Sequence, residues 1–68
     1  MKNIDARGLA CPEPVLLTKR ALSNNETELE VMVDNQTAAQ NVTRYASNQG
    51  FKVTSNVSGD DFILTITK

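Results

Sequence analysis

The chain has 68 residues, 40% hydrophobic and 22% charged, with seven Lys and Arg against eight Asp and Glu for a formal net charge of −1. At that length folding buries only about 60% of the surface the unfolded chain exposes, which fits one small domain over 1–68 and excludes a second core or a large internal cavity. There is one Cys and no His, which removes an internal disulfide, Ser-His and Cys-His dyads, dithiol chemistry and most protein-only zinc sites, so no resident cofactor or metal is expected.

In chain order, Lys2 to Ala6 alternates Ile4 and Ala6 against Asn3 and Asp5, a short strand that Gly8 breaks. Cys11-Pro12-Glu13-Pro14 then opens a helical stretch through Val15, Leu16, Leu17 and Ala21 to about Leu22, closed by Ser23-Asn24-Asn25-Glu26. Proline is tolerated in a helix's first turn, where its missing N–H has no partner to lose, so Cys11 is expected at or beside the N-cap. Glu28 to Val33 alternates cleanly, with Leu29, Val31 and Val33 on the inner face.

Asp34-Asn35 is the expected cap of a second helix, whose stripe runs Ala38, Val42, Tyr45, Ala46 and Gln49 and ends at Gly50. Phe51, Val53, Ser55 and Val57 alternate along a third strand. Ser58-Gly59-Asp60-Asp61 turns the chain, and Phe62, Leu64 and Ile66 alternate on the last strand. The order β-α-β-α-β-β predicts an α/β (α+β) two-layer sandwich: a mixed four-stranded sheet with two helices on one face. The order of the strands is left open by the pattern. Leu29, Val31, Val42, Tyr45 and Leu64 read as core.

One residue carries chemistry. A thiol at a helix N-terminus feels the positive end of the macrodipole and accepts backbone N–H bonds as a thiolate, and both favour ionisation. Pro12 and Pro14 stiffen the approach, and the Glu13 N–H is left as the main free donor of the first turn. The Glu13 carboxylate works against the thiolate, with Arg7 upstream to offset it. Asp5 is expected to tie down the loop by accepting backbone N–H bonds, and Gly8 to supply a conformation other residues resist. Lys19, Arg20 and Arg44 are candidates for a basic docking edge, although charged helix faces are commonly just solvated. The bland reading of Cys11 itself is a small buried hydrophobe.

The run Asp5-Ala6-Arg7-Gly8-Leu9-Ala10-Cys11-Pro12-Glu13-Pro14-Val15, followed by Lys19 and Ala21-Leu22, resembles the signature of the TusA/SirA/YedF family of small sulfur-carrier proteins. Val33-Asp34-Asn35, Ala38-Ala39, Asn41-Val42, Arg44, Ala46 and Gly50 look most like its YedF-type subgroup, which is often associated with selenium metabolism. The resemblance implies that Cys11 takes sulfane sulfur as a transient persulfide from a donor such as a cysteine desulfurase and passes it to an acceptor protein. Pro12 and Pro14 would frame that thiol, and pyridoxal phosphate would belong to the donor. No independent turnover of a small molecule is expected.

The rival reading is a non-catalytic interaction or regulatory domain with an inert Cys11. Direct nucleic-acid binding is disfavoured by the charge balance and by only three aromatics, Tyr45, Phe51 and Phe62. With no bilayer-length apolar run and no signal-peptide pattern, no membrane partner is expected and the default location is the cytoplasm.

Overall fold

A computed structural model describes residues 2–9 and 13–68. Its elements follow the chain as β1 (Lys2–Asp5), α1 (Glu13–Ser23), β2 (Glu28–Val33), α2 (Gln36–Asn48), β3 (Lys52–Ser58) and β4 (Asp61–Thr67). The strands form one mixed sheet in the order β1-β2-β4-β3. β1 runs parallel to β2, with Ile4 beside Val31, and the other two pairings are antiparallel.

The period-two pattern of β2 does the main sorting. Leu29, Val31 and Val33 face the helices fully buried, opposite Ile66, Leu64 and Phe62 of β4. On the other face Glu28, Glu30, Thr65 and Thr67 surround a single half-buried apolar pair, Met32 and Ile63. One face of the sheet therefore makes the core and the other meets water.

The second helix presents Ala38, Ala39, Val42 and Ala46 to the core. Tyr45, expected in the core, is only half-buried and Gln49 is exposed. Small side chains let the helix approach closely, and the phenol keeps a wet edge for its hydroxyl. Asn35 is the N-cap: its side-chain oxygen accepts from the Ala38 N–H at 2.7 Å. At the other end Gly50 takes φ +89°. The Gly50 N–H bonds the Ser47 carbonyl and the Phe51 N–H the Ala46 carbonyl, the paired bonds of a Schellman cap. Helix α1 runs one residue past the expected Leu22. Ser23 Oγ donates to the Lys19 carbonyl at 2.8 Å, and Asn25 adopts φ +65° beyond it. β1 stops one residue short of Ala6, which is buried at the start of a turn.

Candidate functional site

The end of β1 leads into a tight turn over residues 6–9. The Ala6 N–H still donates to the Met32 carbonyl at 2.8 Å, as if the strand continued, while the Leu9 N–H reaches back to the Ala6 carbonyl. Gly8, the third residue of that turn, has φ +79°, the positive value that a type II turn demands there. A Cβ on Gly8 would meet no heavy atom within 4 Å, so the glycine serves backbone sign rather than space. Ala6 is buried and Leu9 packs on the core, so burial pins both flanks.

Carboxylates brace the same turn from three directions. The Asp5 side chain accepts the Arg7 backbone N–H at 3.1 Å and takes the guanidinium through Nε and Nη2, both at 2.9 Å. Arg7 Nη1 donates to Asp61 Oδ2 at 3.2 Å, joining the turn to the start of β4, 54 residues away. Asp34, just past the end of β2, accepts the Gly8 N–H at 2.8 Å on one oxygen and the Asn35 amide at 3.1 Å on the other.

The electrostatic consequences follow from those bonds. The Arg7 guanidinium, and then the Arg7 backbone N–H, hold the Asp5 carboxyl down at about 2. Arg7 is pushed further above its ordinary value, first by Asp5 and then by Asp61. Asp34 is lowered chiefly by the Gly8 N–H and next by the Asn35 amide. All three are solvent-exposed, so these bonds orient the turn more than they stabilise the fold.

On the far side of the candidate thiol, Glu13 opens α1 as an exposed acidic residue at the helix's positive end. Pro14 follows in the first turn and is fully buried. Its carbonyl accepts the hydroxyl of Thr18, itself fully buried, at 2.9 Å. The expectations for Cys11 and Pro12 lie outside the described residues. The sequence places the thiol in a three-residue stretch between Leu9, packed on the core, and the opening of α1, which Pro14 anchors in it.

The structure thus brings together Asp5, Arg7 and Gly8 as one braced turn, with Glu13 and Pro14 opening the helix that follows. It adds Asp34 and Asp61, which sequence reasoning assigned to a helix cap and a hairpin turn. Asp34 had a visible signal, an acid beside the Asn35 cap, but Asn35 alone does the capping. Asp61 had none, because only strand order carries it to Arg7. Lys19 and Arg20 share a shallow groove with Leu16 on α1, whereas Arg44 lines a different one beside Ala39 and Phe62. No cluster of three or more metal-ligating side chains occurs among the described residues.

The chain as a whole is similar to known proteins. A family model described as sulfurtransferase TusA matches residues 2–68. A Methanocaldococcus jannaschii protein named as a candidate sulfur carrier is 47% identical over 55 residues, covering 78% of this chain and 73% of its own. A second candidate sulfur carrier, YrkI of Bacillus subtilis, is 31% identical over 64 residues, with 91% and 85% covered. The crystal structure of a SirA-like protein from Desulfitobacterium hafniense superposes with a TM-score of 0.88 at 33% identity, covering 97% of this chain and 95% of that one.

Proposed function

The chain belongs to the TusA sulfurtransferase family, and from that membership we propose that it is a sulfur carrier in which Cys11 cycles between thiol and persulfide. In the loading step the Cys11 thiolate attacks the outer sulfur of a donor persulfide. The donor S–S bond breaks, the donor sulfur leaves as a thiolate, and Cys11 holds S–SH. A downstream acceptor thiolate repeats the attack and frees Cys11. Neither step changes the net oxidation state, so no oxidant or reductant is required.

The observation that carries this reading is the braced turn leading into the chain's lone thiol. Asp5, Arg7, Asp34 and Asp61 hold residues 6–9, and Pro14 seats the opening of α1 in the core. Such framing suits a thiol that must meet two partners in turn with one approach geometry. In this proposal Pro12 and Pro14 frame the nucleophile, Glu13, Arg7, Asp5 and Gly8 support it, and the chain itself holds no cofactor. The donor is a cysteine desulfurase or similar protein, and the acceptor is another protein. The place of action is the cytoplasm; no helix among the described residues is long and apolar enough to cross a membrane. The YedF-type likeness of the stretch over residues 33–50 makes selenium handling part of the same proposal.

The test is intact mass after incubation with a cysteine desulfurase, pyridoxal phosphate and cysteine, beside a Cys11→Ser control. One added sulfur that reductant removes and the control lacks is the expected result. No added sulfur from several desulfurases, with Cys11 still alkylating freely, would shift the reading to a non-catalytic interaction domain.

A further inference from the structure

Two strand edges of the sheet are open, and they are not alike. β1 is four residues long, carries Lys2 and Asp5 at its ends, and has Asp5 engaged by Arg7. β3 is seven residues long, Lys-Val-Thr-Ser-Asn-Val-Ser, with one charge, at its start, and no proline. Natural edge strands are commonly guarded by charge, proline, bulges or shortness. β3 has little of this. It also holds the most exposed large hydrophobic side chain among the described residues, Val57 at 69%, on the helix-facing side where no helix covers it.

The hairpin fixes which backbone groups of β3 are unused. A two-residue Gly59-Asp60 loop, with Gly59 at φ +63°, joins Ser58 to its partner Asp61. Residues flanking such a loop exchange both hydrogen bonds, and the pattern then alternates along the ladder. Ser58, Asn56, Thr54 and Lys52 therefore bond β4, while Val57, Ser55 and Val53 direct N–H and C=O to the open edge.

We propose that this edge pairs with the same edge of a second copy, antiparallel and two-fold symmetric about Ser55, giving a reversible dimer with a continuous eight-stranded sheet. The residues around Ser55 are palindromic in chemistry. Pairing Ser55 with Ser55 sets Val53 opposite Val57 twice on the helix side, and Thr54 opposite Asn56 twice on the other. It is the register that engages all three outward residues of both copies, for six main-chain hydrogen bonds. Its charges also agree: Lys52 falls opposite neutral Ser58 of the second copy, whose own ladder partner is the acidic Asp61, so no like charges meet. An unrelated extended peptide would satisfy the backbone but would not account for this symmetry.

The experiment is sedimentation velocity with a thiol-free reductant present, so that no disulfide through Cys11 contributes. It runs from about 10 µM to about 1 mM, where contacts smaller than a standard interface associate. The mass is expected to rise from 7.4 kDa toward twice that value, and exchange of the Val53, Ser55 and Val57 amides to slow with concentration. Ser55→Pro removes an amide that the monomer's ladder does not use, and two of the dimer's bonds. It is expected to weaken association about tenfold or more. Val57→Lys alters an exposed side chain, serves if the proline variant misfolds, and is expected to do the same. A wild-type chain that stays monomeric to the highest concentration overturns the proposal. So does association that both variants retain, or an open-ended increase in mass with no plateau at two chains.

Discussion

Gly8 offers the sharpest test of how the turn before Cys11 is held. Its φ of +79° lies in the left-handed region, and the space a Cβ would occupy is empty. An alanine there therefore meets no clash and carries only the backbone penalty of an L-residue, about 1–2 kcal/mol. Asparagine visits the same region more readily and should recover much of that cost, so the expected order of turn stability is Gly, then Asn, then Ala. A penalty of that size makes the opened turn roughly 5–30 times more populated. The bonds at stake are the Gly8 N–H to Asp34 and the Leu9 N–H to Ala6. Native-state hydrogen exchange at position 8 reads the first directly, and a urea titration reads the global cost. The amide in Gly8→Ala is expected to exchange about 5–30-fold faster, with Gly8→Asn between it and wild type. Equal exchange in all three, or an asparagine variant as damaged as the alanine one, would refute the argument from backbone sign.

Leu64 is fully buried opposite Val31, so Leu64→Ala is expected to cost about 2–5 kcal/mol by urea denaturation, and a loss under about 1 kcal/mol would contradict its place in the core. The Asp5 carboxyl titrates at about 2 instead of its ordinary 3.8. Between those values the unfolded chain binds the extra proton, so the Asp5 contribution is fully present above the ordinary value and is lost as pH falls through about 2. Carboxyl NMR of Asp5 should show that low midpoint in the wild type and a return toward 3.8 in Arg7→Gln; a wild-type midpoint near 3.8 would remove Arg7 as the cause.

The elements were legible because the pattern and the energetics coincide. Leu29, Val31 and Val33 alternate in the sequence and are the residues the sheet buries, and the bounds of β2 match the reading. Gly50 likewise marks a helix end that only a positive φ can make. Tyr45 misled because helical spacing says which face points inward but not how close the sheet comes, and a close approach favours alanine. Val57 was half-legible: alternation gives its face correctly, but no local pattern shows where a helix stops covering the sheet. For the site, the tie from Asp5 to the following backbone and the special conformation of Gly8 were readable locally, whereas Arg7, read as an offset to Glu13, is found on Asp5 and Asp61. The contacts from Asp34 and Asp61 are tertiary, created by strand order, and that order was the part of the fold the pattern left open.

The placement of β4 between β2 and β3 has a consequence for how the chain assembles. β1, α1 and β2 are contiguous and can form their parallel unit early, but β2 then waits for its other neighbour until the last strand is made. The pairing that completes the sheet also brings Asp61 to Arg7, so the turn before Cys11 gains its most distant brace at that same late stage. Long-range closure of this kind is slow relative to local helix formation. A nascent chain that ends before Asp61 therefore holds the turn over residues 6–9 without that distant carboxylate, on the Asp5 and Asp34 bonds alone.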